Sequence, residues 1–366
     1  MRAAVLYEAN TPMAIEEVSL DGPRDDEVLV RIDATGACHS DYHVIDGTWN
    51  GPRYPMPVIL GHEAAGTVEK VGADVRSVKP GDHVILSFAP NCGRCRMCTI
   101  GRPNLCNGMP SPAGTFPDGS RRHRKGDVEI NSFGRGMSSF AEQSVVHHSA
   151  AIKITPDMPM KGAALIGCAV MTGVGAVLNT AAVEPGSTVA VFATGGVGLS
   201  VVQGAVLANA SKIIAVDLLD NKLDYARTVG ATHAVNSSKQ DALEAIREIT
   251  SGEGVDYAFD AIGDSRVSRA CYDAVRAGGT AVIVGMAPTG SEFSVPATIA
   301  GAEKTVKGCF YGSSRPAVDF PRLVDFYLRG ALQLDQMITH TYTLAEINDA
   351  FDAMGRGENA RGIITP

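Results

Sequence analysis

Four cysteines within fifteen residues constrain this chain more than any other feature: Cys92-x2-Cys95-x2-Cys98-x7-Cys106. Thiolates so close in sequence can complete a tetrahedral shell around zinc, with Zn–S bonds of ~2.3 Å. A shell filled by protein leaves no position for a substrate. This zinc would therefore be structural, pinning a lobe at about residues 90–108 that has little core of its own. Four unligated thiols or two disulfides are the alternatives. The chain has eight cysteines, and its start, Met1-Arg2-Ala3-Ala4-Val5, lacks the apolar core and cleavage site of a signal peptide. Reduced cysteines of a cytoplasmic protein fit better than a secreted disulfide scaffold.

A second set is scattered: Cys38, His62 and Cys168. Two thiolates and one imidazole, with water in the fourth place, make an open catalytic zinc arrangement. Each residue alone is weak evidence, because a lone buried cysteine usually behaves as a small hydrophobe. Context adds to it. Cys38-His39-Ser40-Asp41-Tyr42-His43 supplies a hydroxyl and an imidazole just after the first ligand, and Gly61-His62-Glu63 sets a carboxylate beside the second.

The 366 residues suggest two domains at ~150 residues each. The first third reads as β-rich, with β-branched runs at 28–32 and 64–71 and a short apolar run at 83–86 after the turn Pro80-Gly81-Asp82. Residues 107–136 read as a long surface loop, with Arg121-Arg122-His123-Arg124-Lys125 as a solvated basic patch. From about residue 169 the rhythm changes. Strand-like runs at 188–192, 212–217, 255–260 and 280–284 alternate with helical stretches, one of them at 223–229, which predicts a parallel sheet. An amphipathic helix is expected near 320–328. Lys plus Arg is 32 against 40 Asp plus Glu, a net charge of −8, which weighs against nucleic acid or an anionic membrane as partner. No apolar run of 18 residues is apparent, so no spanning helix is expected.

The strand at 188–192 runs into Ala193-Thr194-Gly195-Gly196-Val197-Gly198. This is a G-x-G-x-x-G turn whose first glycine is alanine, for which a negative φ is expected. Close backbone approach at Gly195 and the following helix N-terminus would hold a pyrophosphate. Asp217, nineteen residues after Gly198, ends the next strand. A carboxylate there binds a ribose 2′-hydroxyl and repels a 2′-phosphate, favouring NAD over NADP.

On the cysteine spacing, Gly61-His62-Glu63 and the turn at 195–198, the chain resembles the zinc-containing medium-chain alcohol dehydrogenases from end to end, close to the liver-type class. The resemblance implies an α/β protein. A β-rich GroES-like catalytic domain, residues 1–169 and 311–366, would enclose a Rossmann NAD-binding domain with a doubly wound parallel sheet, residues 170–310. It implies two zinc ions per chain, the catalytic one on Cys38, His62 and Cys168. Asp41 would orient the histidine ligand, Glu63 would sit behind the metal, and Ser40 and His43 would relay a proton. His39 and Arg361 would face the pyrophosphate and Lys222 the adenosine ribose. Thr172 and Val197 would surround the nicotinamide, with Val284, Met286 and Tyr311 near its ribose or amide. Trp49 and Phe88 would line the substrate cleft.

The expected activity is reversible hydride transfer to NAD from a primary alcohol, aromatic or medium-chain, or from some secondary alcohols. A nicotinoprotein with tightly held NAD and an external acceptor is one alternative, and a non-catalytic zinc-stabilised dinucleotide-binding protein is another. A homodimer is expected, with a tetramer as the alternative.

Overall fold

The computed structural model describes residues 1–49, 51–52 and 54–366. The chain divides into two compact units. One comprises Met1–Cys168, Arg315–Gly330 and Ile338–Pro366, and the other Ala169–Ser314 and Ala331–Met337. The stretch 331–337, expected in the first unit, belongs to the second. Gln203 explains this: its Oε1 accepts from the Gln333 N–H at 2.7 Å and its side-chain amide reaches the Met337 sulfur at 3.2 Å.

The first unit is built on two sheets. Its longest strand, Glu27–Gly36, pairs antiparallel with Ala64–Val71 and with Gln143–His147. Valines 28 and 30, Ile32, Val68, Val84 and Leu86 fill one core between these strands. The strand Glu27–Gly36 leads through Cys38 into the helix His39–Ile45.

The segment expected as a solvated loop is partly a β-hairpin. His123–Lys125 pairs with Val128–Ser132 and with Ser19–Leu20. The basic patch expected there is overturned at Arg122 and His123, while Lys125 stays exposed and Arg121 and Arg124 partly so. Arg122 is 1% exposed and His123 fully buried. Arg122 reaches back 95 residues to pair with Glu27, also pairs with Asp118, and lies over the Phe116 ring at 4.5 Å. A guanidinium is buried only when its charge and donors are matched, and here two carboxylates match them.

The second unit holds a six-stranded parallel sheet. Its order is His233–Asn236, Lys212–Asp217, Thr188–Phe192, Val255–Asp260, Val275–Ile283, Thr305–Gly308. The central strands are buried on both faces, as helix-covered parallel strands must be. The order reverses between Thr188–Phe192 and Val255–Asp260. Ligands of such sheets bind outside the carboxyl ends at that point. The helices Asp220–Thr228 and Pro316–Leu328 extend the stretches expected from the sequence.

Among the described residues one helix, Met160–Ala181, is by length and composition apolar enough to cross a membrane, contrary to the expectation that none would be. Its small residues, with Thr172, Asn179 and Thr180 interrupting the apolar run, hid this in the sequence. Its most apolar window is 89% buried inside the protein, as in a core helix.

Candidate functional site

Three side chains far apart in sequence meet in the first unit. Cys38 precedes the helix His39–Ile45, His62 follows the strand Val58–Ile59, and Cys168 lies in a π-helical stretch, Ile166–Val170. All three are buried, and their ligand atoms lie within 4.8 Å of one another. Gly61 makes the approach to His62 possible. Its φ is +92°, and a Cβ there would meet Ser139 Oγ at 2.5 Å and the Phe140 nitrogen at 2.7 Å.

The groups around the trio orient and charge it. Asp41 Oδ1 stands 3.1 Å from His62 Nδ1 and accepts the Gly61 N–H at 3.1 Å. With Nδ1 engaged there, Nε2 is the nitrogen left for a metal. The hydrogen bond from Cys168 and the nearby His62 charge hold the Cys38 thiol well below its usual range. The same hydrogen bond, with burial, pushes Cys168 up. Burial opposes a charge on His62, but Asp41 and Cys38 outweigh it and lift its pKa well above the ordinary value. Burial raises Asp41. Two thiols and an oriented imidazole are a donor set suited to zinc.

Glu63 and Arg361 form a buried pair beside the trio. Burial pushes the Glu63 carboxyl up to about 7, against the pull of Arg361. Arg361 was expected to face a pyrophosphate. The structure commits one of its nitrogens to Glu63 and leaves Nε buried without a hydrogen bond, a donor suited to an anion.

Aromatic rings frame the imidazole. Phe133 stacks on His62, centroids 4.5 Å apart, and Phe88 meets it edge-on at 5.5 Å. Phe133 contacts Tyr54, Tyr54 stacks on Trp49 at 5.8 Å, and Trp49 packs on His43 at 5.1 Å. Phe133 and Tyr54 were not singled out from the sequence. A lone aromatic in a polar segment carries no periodic signal. Ser40 is half-buried in the first turn of its helix, and exposed His39 lies in the same turn. His43 Nδ1 makes no hydrogen bond, its nearest carboxylate being Asp46 at 4.0 Å.

The lobe cysteines also converge, and none forms a disulfide. Their sulfurs are 3.5 Å (Cys95–Cys98), 3.8 Å (Cys95–Cys106) and 3.7 Å (Cys106–Cys92) apart. A tetrahedron of ~2.3 Å Zn–S bonds requires about 3.8 Å between sulfurs. Backbone N–H groups of Cys98 and Asn107 lower Cys95 to about 6.

In the second unit, Gly195 opens the twelve-residue helix Gly196–Leu207, and open space lies where its Cβ would be. That leaves room for a ligand against the helix N-terminus. Ala193 adopts φ +67°, not the negative φ expected. Its carbonyl oxygen would lie 1.9 Å from a Cβ at Gly198, so that position requires glycine. Asp217 stands at its strand end, and Lys222 lies on the helix that follows. Val284 is buried and Met286 exposed just past the strand Val275–Ile283. Thr172 and Val197 are half-buried. Tyr311, Gly312 and Ser313 form a left-handed turn with φ of 56°, 64° and 49°. Asp260, also unanticipated, is fully buried at the end of the strand Val255–Asp260. It accepts from the N–H groups of Ile262 and Gly263 and from Ser268 Oγ, fixing the loop beside the sheet's reversal point.

A buried cluster of two cysteines and a histidine, a second cluster of four cysteines and a Rossmann-type parallel sheet point together to the class of zinc-dependent dehydrogenases. Residues 24–157 match the alcohol dehydrogenase GroES-like domain and residues 196–329 the zinc-binding dehydrogenase family. The chain is 40% identical over 373 residues to a class-3 alcohol dehydrogenase of Cereibacter sphaeroides, covering 99% of each. It is 39% identical to an NDMA-dependent alcohol dehydrogenase of Amycolatopsis methanolica, covering 99% of this chain and 98% of that one. The crystal structure of benzyl alcohol dehydrogenase from Acinetobacter calcoaceticus superposes with a TM-score of 0.93 at 33% identity, covering 100% of this chain and 98% of that one. The chain belongs to the zinc-containing medium-chain alcohol dehydrogenase family.

Proposed function

We propose that this alcohol dehydrogenase oxidises apolar primary alcohols, benzylic or medium-chain, to aldehydes with NAD, reversibly, and accepts some secondary alcohols. The convergence of buried Cys38, His62 and Cys168, with Asp41 on the outer nitrogen of the imidazole, carries this reading. Zinc bound there would lower the pKa of an alcohol. The chain's own groups do the rest. Asp41 fixes the His62 ring. The Ser40 hydroxyl would accept the alcohol proton, and His43 would release a proton to water. NAD, when bound, would supply the hydride acceptor. Gly195, Gly196 and Gly198 would shape the cradle for its pyrophosphate. Asp217 and Lys222 take the adenosine ribose. Thr172, Val197, Val284, Met286 and Tyr311 contact the nicotinamide half. Cys92, Cys95, Cys98 and Cys106 hold a second, structural zinc.

The rings of Trp49, Tyr54, Phe88 and Phe133 favour an apolar, aromatic substrate. The benzyl alcohol dehydrogenase relative supports this choice. A panel of benzylic, linear and secondary alcohols with NAD tests it. Higher kcat/KM for linear polar alcohols than for benzyl alcohol would refute the substrate class. The NDMA-dependent relative favours a second reading, in which NAD stays bound and an external acceptor reoxidises it. Purified protein absorbing near ~340 nm, with no turnover of added NAD, would select it. The protein is further proposed to be a homodimer. The strand Thr305–Gly308, exposed at every residue on the edge of its sheet, is available for pairing. A monomeric mass in solution would refute that.

A further inference from the structure

The turn that replaces the first fingerprint glycine has an unusual hydrogen-bond pattern. In an extended strand, successive N–H groups point to opposite sides. Here the N–H of Ala193 donates to the Val216 carbonyl at 2.9 Å, and the next one, of Thr194, donates to Asp217 Oδ2 at 2.7 Å. Both reach the same neighbouring strand, Lys212–Asp217. The left-handed conformation of Ala193, φ +67°, makes this possible by rotating the following peptide. An alanine in that conformation is strained.

The Thr194 side chain adds to the grip. Its Oγ1 donates to the same Oδ2 at 3.0 Å. The other oxygen, Oδ1, accepts from the N–H groups of Leu218 at 2.8 Å and Leu219 at 3.1 Å. Four donors thus fix the plane of one carboxylate. Three of these four are backbone groups, and the fourth is the Thr194 hydroxyl. Thr194 is fully buried and Asp217 half-buried, so the hydroxyl holds the inner side of the carboxylate while the outer side stays accessible.

We infer that Thr194 is a positioning residue for cofactor selection, holding the Asp217 carboxylate so that it accepts ribose hydroxyls and cannot swing away from a 2′-phosphate. The inference rests on the proposed role of Asp217 at the adenosine ribose. A fixed anion discriminates in both directions. It meets a diol already oriented, and it keeps its repulsion of a phosphate undiminished. A mobile one would lose on both counts.

The test uses the whole apo protein and the variants Thr194→Val, Thr194→Ser and Asp217→Gly. Dissociation constants for NADH and NADPH are measured by nucleotide fluorescence, with melting temperatures alongside. Valine keeps the branched shape and the backbone N–H but removes the hydroxyl. In Thr194→Val the ratio of the NADPH to the NADH constant should fall roughly tenfold, the scale of one hydrogen bond to a charged group. Thr194→Ser should restore it to within about twofold. Asp217→Gly should collapse the ratio altogether. If Asp217→Gly leaves the ratio unchanged, Asp217 does not select the cofactor, and the reading beneath the inference fails with it. If Asp217→Gly collapses the ratio but Thr194→Val preserves it, the inference alone is overturned. That includes the case in which both nucleotides weaken equally and the melting temperature drops. NADH bound more tightly by Thr194→Val would overturn it too, because the hydroxyl would then be competing with the ribose.

Discussion

The two cysteine clusters use the same chemistry and are assembled in opposite ways. The lobe takes its four thiols from fifteen consecutive residues. Its short helix, Arg96–Thr99, buries no side chain, and Ile100 and Leu105 are exposed. Apart from local backbone hydrogen bonds and one from Arg135 to the Cys106 carbonyl, metal–sulfur bonds would be what holds such a segment in shape. The other centre draws on residues 38, 62 and 168 and is wrapped in protein. Asp41 backs the imidazole, the Glu63–Arg361 pair lies beside it, and Phe133 covers the ring. The lobe depends on metal for its fold. The buried centre depends on the fold for its geometry.

That contrast breaks most clearly under paired substitutions. Cys38→Ser is expected to lower kcat/KM at least about a thousandfold, roughly 4 kcal/mol of lost transition-state stabilisation, while the melting temperature hardly moves. Cys92→Ser is expected to do the reverse first. Bound zinc should fall from about two to about one per chain, and residues 90–108 should become sensitive to protease. Metal analysis, limited proteolysis and steady-state rates on the two proteins separate the outcomes. If Cys38→Ser unfolded the protein while Cys92→Ser left the lobe intact, the division of roles would be wrong.

How far each region could be read in the sequence follows the same division. The lobe was legible because its ligands are near neighbours, so their spacing alone describes the shell. The parallel sheet was legible because short apolar strands alternate with helices around the turn at 195–198. The buried centre needed the resemblance, since no local pattern joins residue 38 to residue 168. Arg122 and His123 were misread for the same reason. The carboxylate that lets Arg122 be buried is Glu27, 95 residues away, and a run of basic residues viewed locally reads as solvated.

His123 makes that burial measurable. Neither ring nitrogen has a hydrogen-bond partner, and burial, with the adjacent Arg122 charge, lowers its pKa to about 4. The unfolded chain, at ~6.5, therefore takes up the proton first as pH falls. The stability contributed by neutral His123 is fully present above about 6.5. It is lost progressively down to about 4, at ~1.4 kcal/mol per pH unit, on the order of 3 kcal/mol in all. Denaturant unfolding of wild type and His123→Leu at pH 7, 5.5 and 4.5 isolates the effect. The gap between them should narrow or reverse in favour of the variant as pH falls. A gap independent of pH would mean that His123 is not held neutral by the fold.

A smaller effect tests the support around the buried centre. Asp41→Asn keeps the shape but removes the charge facing His62 Nδ1. Replacing such a partner typically costs about 10–100-fold in metal affinity. Competition with a chelator should release one zinc early in this variant, while the zinc of the lobe stays as in wild type. Equal loss from both sites would erase the distinction between a centre held by surrounding protein and one held by its ligands alone.

The least effect is expected at Ala193, where the second unit carries local strain instead of long-range support. Its φ of +67° is easy for glycine and costs alanine about 1–2 kcal/mol. Glycine would remove the strain but return some chain entropy to the unfolded state, about 0.4–1 kcal/mol. Ala193→Gly should therefore stabilise the protein by about 0.5–1 kcal/mol, a melting shift of roughly one to four degrees for a chain of this size. The turn keeps its shape, so the donation from the Thr194 N–H to Asp217 persists and NADH affinity should change less than about twofold. A destabilised Ala193→Gly protein would mean that the methyl group contributes packing that outweighs the strain. The turn would then owe its shape to its surroundings, as the buried metal centre does, and not to its own backbone.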